Sequence, residues 1–380
     1  MTASHLDFYT RYGISPVRQD ISDLRRHFER REALYRHLGL LPGFFPQRTV
    51  LEVGPGGGYN SIYTASLAPS RYVLVEGNPT GVVEIRQLFA GFPELASRIE
   101  IVHSSLEEYR PDTRFDFVFC EGLLSGVQNP EEILAALAAA TAPGGVLVVT
   151  AVDHLSHFPE TIRRAFAQRA IDPEEGLEQK VAKILPMMLP HLATLWGMSR
   201  RQDDWVIDNL LHPGSIIPLI NFPGIAECLR PNLEFYAASP HFATDWRWYK
   251  AVVGEDRRYS DAAVETWWAN AHSLLDYRTV LPPRDAEENR RLYALCTEAR
   301  RALELFEAAR EEGHFDRFLA GLEHIVAETS RFSPAIAEAL REAATLLGAA
   351  RLDPAKVASA SKFGPLFGRG QQYFSFAALG

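Results

Sequence analysis

Cysteine is scarce in these 380 residues: Cys120, Cys228 and Cys296 lie far apart, which excludes a Cys-x-x-Cys zinc knuckle and a dense disulfide framework. No stretch reaches ~18 uninterrupted apolar residues, and the opening Met1-Thr-Ala-Ser-His-Leu-Asp has no basic segment leading into an apolar run. Neither export nor membrane spanning is therefore expected, and a reducing, cytoplasmic setting is. Positive charge is also short. Lys and Arg number 39 against 48 Asp and Glu, a net charge of −9 that gives no general electrostatic reason to bind a nucleic-acid backbone or an anionic membrane. No short repeat and no low-complexity tract is present. What remains is an ordinary globular composition, 47% hydrophobic and 23% charged, in a chain longer than one compact core usually holds.

The chain reads as three regions. Residues 1–46 mix aromatics (Phe8, Tyr9, Tyr12, Phe28, Tyr35) with many charges, and their helical turns are expected either to cover the sheet or to form a lid. Residues 47–254 begin with strands and helices in alternation. Val50-Leu51-Glu52-Val53 ends in glycines and feeds a helix over 59–68; Tyr72–Val75 is a second strand and Gly81 to Phe92 a helix. Ile99–Val102, Phe115–Cys120 and Val146–Thr150 continue the series, with an alanine-rich helix from Pro130 to Thr141. Strands joined by crossover helices imply a parallel sheet with both faces covered. An apolar insertion, residues 155–230, then interrupts the alternation. Strand-like segments return at Leu233–Ala237 and Trp246–Val253, a pair expected to be antiparallel. Residues 255–380 read as a helical region that ends in an aromatic, glycine-rich tail.

The strongest chemical signal is Glu52-x-Gly54-Pro55-Gly56-x-Gly58. A glycine turn between a buried strand and a helix lets a ligand approach the backbone without Cβ obstruction. Tyr59 stands where the dinucleotide fingerprint needs a small third residue, and no Gly-Lys-Ser/Thr follows, so neither that fingerprint nor a P-loop is present. Glu76 closes the second strand at the distance where a carboxylate accepts hydrogen bonds from ribose hydroxyls. A ribose-containing cofactor is expected, with no requirement for a pyrophosphate.

With Ser104-Ser105-Leu106-Glu107 after the third strand, Phe115–Glu121 as the fourth, and Ala142-Pro-Gly-Gly-Val entering the fifth, residues 49–152 resemble the class I, Rossmann-like S-adenosylmethionine-dependent methyltransferases. The resemblance implies a doubly wound, mostly parallel seven-stranded α/β sheet with an antiparallel last strand. It implies S-adenosyl-L-methionine as cofactor, with Gly54, Pro55, Gly56 and Gly58 on its methionine part. Glu76, Gly77 and Asn78 then serve the ribose; Ser105, Leu106 and Glu107 the adenine edge; Glu121 and Gly122 the sulfonium side, with Glu52 leading the motif. The family's usual aspartate at position 105 is replaced by Ser105.

Transfer to a hydroxyl needs a group that receives its proton. His154 and His157 follow the fifth strand and are the candidate catalytic bases, since imidazole titrates near neutral pH. Capping of the next helix is the competing role. Asp153 alone is too little for a catalytic metal site, so none is expected. Met187, Met188, Leu192, Trp196, Trp205, Ile216 and Ile217 are expected to pack a core or line a substrate pocket, and Arg163-Arg164 and Arg200-Arg201 to face solvent or hold an anion. The expected activity is methylation of a small molecule, glycan or natural product, with a homodimer left open. The alternative is a non-catalytic cofactor-binding or assembly protein. Neither an Asn/Asp-Pro-Pro-Tyr/Phe motif nor a basic domain supports a nucleic-acid substrate.

Overall fold

The computed structural model describes residues 19–106, 108–212 and 219–378. The chain divides into two compact units: Met1–Val152, Ile217–Trp267 and Gln371–Gly380 form the first, and Asp153–Ile216 with Trp268–Gly370 the second.

Unit 1 contains the sheet. Strands β1 (Thr49–Val53), β2 (Arg71–Glu76), β3 (Ile99–His103), β4 (Phe115–Cys120), β5 (Thr141–Ala151), β6 (Glu234–Ser239) and β7 (Gln372–Ala377) lie in the order β3-β2-β1-β4-β5-β7-β6. The pairs from β3 to β5 are parallel, and β7 runs antiparallel to both β5 and β6. Apolar runs such as Val50–Val53 and Phe117–Cys120 are buried throughout, as a parallel sheet covered on both faces requires. The helices Ser61–Ser66, Pro79–Ala90 and Pro130–Ala140 supply the crossovers. Each of the last two starts with proline, whose missing N–H costs nothing at that position.

The N-terminal helix Leu24–His37 packs on one face of this sheet. Its Tyr35 ring stacks on Phe119 at 5.6 Å, and Phe45 stacks on Phe117 at 4.4 Å. Leu38, Val50, Leu74 and Val148 belong to the same cluster, each worth ~1.5–3 kcal/mol on full burial. Residues 1–18, which carry Phe8, Tyr9 and Tyr12 of the expected lid, lie outside the described residues.

Two expectations are corrected. Trp246–Val253 is not a strand: Arg247 grips Asp245 and donates to the carbonyls of Asp256 and Arg258, turning the chain and leaving Trp246, Trp248 and Tyr249 exposed. The antiparallel strand is Gln372–Ala377, taken from the region expected to be helical, where Phe374 and Phe376 are fully buried. The fifth strand also begins earlier than expected, at Thr141, with Gly144 at φ +72° in its irregular entry.

Unit 2 is helical. Ala286–Ala309 buries Leu292, Cys296, Ala299, Leu303 and Phe306 along one face, as its period predicts. Gly321 of Glu312–Thr329 meets it closely; a Cβ there would stand 3.2 Å from that of Ala299. Met187, Met188, Leu192 and Trp205 are buried core, Trp196 is exposed, and Ile216 and Ile217 lie outside the described residues. All four candidate anion-binding arginines have partners within unit 2. Arg163 donates to the carbonyls of Gly364 and Leu366, and Arg164 pairs with Glu307, Arg200 with Asp208 and Arg201 with Asp203.

Candidate functional site

Because β3, β2, β1 and β4 are parallel neighbours, the loops that follow them line one edge of the sheet in that order: 104–106, 77–78, 54–58 and 121–122. Crevices at this edge, outside the carboxyl ends of the strands, are where open α/β sheets bind ligands.

The centre is the glycine turn. Gly54, Gly56 and Gly58 have φ of +72°, +58° and +77°, a region that L side chains rarely adopt. Gly54 N–H still bonds the Val75 carbonyl at 2.9 Å, so the turn starts from the last rung of the β1–β2 ladder. Glu76 folds back beneath it, accepting from Gly56 N–H at 2.8 Å and from Asn78 N–H at 2.7 Å. Burial raises the Glu76 pKa, and the N–H groups of Asn78, Gly56 and Gly77 oppose that rise. Asn78 caps the helix Pro79–Ala90 through Thr80 N–H at 2.9 Å. A Cβ on Gly81 would come within 3.0 Å of both Glu76 Cγ and the Gly56 carbonyl, so glycine is what allows the helix to approach the loop.

Ser105 and Leu106 follow β3, where the Glu76 carbonyl accepts from Ser104 N–H at 3.2 Å. Ser105 Oγ accepts from Glu108 N–H at 3.3 Å. Glu107 lies outside the described residues. On the other flank, Gly122 has φ +79° and donates its N–H to Thr150 Oγ1 at 2.7 Å. Glu52 sits beneath the loop, 5% exposed, and accepts the Tyr72 hydroxyl. Burial and then Glu121 push its pKa up to about 7.

Sequence reading missed the polar face of the N-terminal helix. His27 Nε2 meets the Tyr59 carbonyl at 2.9 Å, Arg31 forks onto Glu121 at 2.6 and 2.9 Å, and Tyr35 Oη meets Thr64 Oγ1 at 2.6 Å. Positions 27, 31 and 35 are one helical turn apart and therefore share a face. That face ties the helix to the glycine turn, to the helix that follows it and to the end of β4. A buried-side arginine at helical spacing between two aromatic positions was the available signal.

His154 and His157 belong to unit 2. Asp153 Oδ1 accepts from Leu155 and Ser156 N–H at 2.8 and 3.0 Å, closing the turn that carries His154. His157 is the N-cap residue of Phe158–Ala170. The His154 ring packs edge-on against Tyr293 at 5.3 Å. Burial and then Arg300 push both imidazoles down to about 3, so both are neutral at pH 7. Among the described residues, no group of three or more His, Cys, Asp or Glu is arranged to hold a metal, and no helix is long and apolar enough to cross a membrane.

A family described as a methyltransferase domain matches residues 25–206. A mitochondrial ubiquinone biosynthesis O-methyltransferase of Schizosaccharomyces pombe is 31% identical over 108 residues, covering 28% of this chain and 39% of that protein. An uncharacterised protein of Synechococcus is 26% identical over 180 residues, covering 44% of this chain and 43% of its own. The chain thus spans well under two thirds of the length of these curated relatives. A Rickettsia typhi protein solved in complex with AdoHcy, PKMT2, is 18% identical with a TM-score of 0.43, covering 60% of this chain and 46% of that one. The strand order and the glycine turn above Glu76 agree with that domain match: residues 25–206 resemble a methyltransferase domain, and the sheet has the α/β fold of the Rossmann-like S-adenosylmethionine-dependent methyltransferases.

Proposed function

We propose that the chain is an enzyme that methylates a hydroxyl of a small molecule, glycan or natural product, using S-adenosyl-L-methionine. The observation that carries this reading is the Glu76 carboxylate held by Gly56 N–H, which joins a ribose-type acceptor to a Cβ-free turn at the ends of β1 and β2. The residues fit the cofactor. Gly54, Pro55, Gly56 and Gly58 offer backbone to its methionine part, Glu76 with Gly77 and Asn78 takes the ribose hydroxyls, and Ser105 and Leu106 border the adenine. Gly122, fixed by Thr150, and Glu121, fixed by Arg31, border the sulfonium. When bound, the cofactor supplies a methyl group already activated by positive sulfur, which is why no metal is proposed.

The N-terminal helix keeps this framework rigid through His27, Arg31 and Tyr35, so little ordering remains for the moment of reaction. The oxygen acceptor is supported by the name of the fission-yeast relative. The net charge of −9 supports a substrate other than nucleic acid or an anionic membrane, and a cytoplasmic setting fits the sparse cysteines. The test is incubation with methyl-labelled cofactor and a cell extract, followed by mass spectrometry of what acquires the label. Labelled small molecules or glycans are expected; tight cofactor binding with no labelled product in any extract would leave a binding protein instead.

A further inference from the structure

Residues 246–253 read Trp-Arg-Trp-Tyr-Lys-Ala-Val-Val and lie wholly within unit 1. Trp246 is 90% exposed, Trp248 66%, Tyr249 72% and Val253 64%. An aromatic side chain carries ~150–250 Å² of surface, so this short segment bares more apolar area than a monomer in water usually does.

The display is built, not loose. Arg247 is held by both carboxylate oxygens of Asp245, donates to the carbonyl of Asp256 and to that of Arg258 at 3.1 Å, and lies 5.2 Å from the centre of the Tyr259 ring. Trp246 and Trp248 flank this inward-held side chain, and both turn outward. A tight turn follows, with Ala251 N–H on the Trp248 carbonyl at 2.9 Å and Val252 N–H on that of Tyr249 at 3.2 Å. It sets Lys250 Nζ 5.7 Å from the Trp248 ring centre and 5.9 Å from that of Tyr249.

The chemistry of the segment selects its partner. Residues 246–253 contain no acid, and the charge of Arg247 is spent on Asp245, which leaves Lys250 as the outward cation. A nucleic-acid strand would need a row of free cations along its phosphates. A second copy meeting symmetrically would bring Lys250 toward its own counterpart. The interface of a bilayer asks for what is present: tryptophan and tyrosine rings at the level of the headgroups, and a long cationic stem reaching their phosphates. Residues 245–258 hold four Arg and Lys against three Asp and Glu, a charge of +1 in a chain of −9, so this surface meets a headgroup layer with less repulsion than the chain as a whole.

We propose that this turn docks the chain reversibly on a lipid bilayer, with Trp246, Trp248 and Tyr249 entering the interface and Lys250 meeting lipid phosphates. The inference goes beyond methyl transfer and does not depend on it. Aromatic insertion supplies most of the attraction, so docking does not require anionic lipid.

The experiment is co-sedimentation of the full chain with phosphatidylcholine vesicles, with and without a minor share of phosphatidylserine, together with quenching of tryptophan fluorescence by brominated phosphatidylcholine. Binding to phosphatidylcholine alone should survive high salt and be accompanied by quenching, and phosphatidylserine should strengthen it. Trp246→Ser with Trp248→Ser should weaken vesicle binding at least ~10-fold and remove most of the quenching, with an unchanged melting temperature, because both rings lie outside the core. Lys250→Gln should remove only the gain from phosphatidylserine. No binding to either vesicle, or equal binding by the double tryptophan variant, overturns the proposal. So does a dimer formed without lipid and lost in that variant, or tight binding of single-stranded RNA or an oligosaccharide by the unaltered turn without vesicle binding.

Discussion

Arg31 and Glu121, 90 residues apart, meet in a two-pronged ion pair of 2.6 and 2.9 Å, with side chains only 7% and 8% exposed. It joins the N-terminal helix to the ligand edge of the sheet. Asn60 Nδ2 adds a weaker contact to the same carboxylate at 3.4 Å.

Removing one member should be far worse than removing both. Arg31→Met leaves a buried carboxylate unpaired and is expected to cost ~3–5 kcal/mol of unfolding free energy, whereas Arg31→Met with Glu121→Leu recovers most of it. Urea denaturation of the three variants decides this, and equal losses in single and double variants would show that the pair acts independently of its charge.

Glu76→Ala should weaken S-adenosylhomocysteine by ~1–3 kcal/mol, because it removes the ribose acceptor and frees Gly56 N–H from the bond that shapes the loop. Calorimetry reads the loss directly. Unaltered affinity would remove Glu76 from the site.

Acid should destabilise the protein earlier than its carboxylates alone would. His154 and His157 are pushed down to about 3 by burial and Arg300, and His191 and His272 to about 4, chiefly by burial. The unfolded chain binds these protons near pH 6.5 and the folded chain does not, so stability falls as pH drops from ~6.5 toward 4. Glu52 acts with the opposite sign: raised to about 7 from 4.5, it favours the folded state at low pH, a contribution lost as pH rises through 7. Glu52→Gln should therefore melt higher relative to the parent at pH 8 than at pH 5. Melting curves across pH 4–8 test both, and a flat profile between pH 6.5 and 4.5 would contradict the histidine assignment.

Turnover should survive a strong chelator, since the cofactor's sulfonium already activates the methyl group. Complete loss on chelation, restored by magnesium, would place a metal in the reaction.

Strands β1 to β5 were legible because buried parallel strands read as apolar runs, and the glycine turn because its backbone angles exclude side chains. The last strand was hidden. Gln372–Ala377, Gln-Tyr-Phe-Ser-Phe-Ala, follows a glycine-rich stretch and shows no clean alternation, while Trp246–Val253 has the stronger strand composition but is bent by Arg247. Arg31 was only half legible: its spacing between His27 and Tyr35 marks a shared helix face, but its partner Glu121 lies 90 residues away and no local pattern reports it. Glu52 and Glu76 are the same residue type in neighbouring strands, yet one takes a tyrosine hydroxyl in the core and the other two backbone N–H groups at the edge. That distinction comes from side-chain direction, which spacing alone does not give.

The placement of β7 between β5 and β6 bears on how the chain is made. When Ala151 has left the ribosome, β5 presents an open, apolar edge whose partner begins only at Gln372. At ordinary rates of synthesis that edge waits on the order of 10–40 s, long enough for strand-to-strand capture by another nascent chain. The intervening helical unit is complete before the strand that closes the sheet emerges, so the nascent protein passes through a stage with one finished unit and one unfinished sheet. Holding that edge apart until residue 377 arrives is work suited to a chaperone.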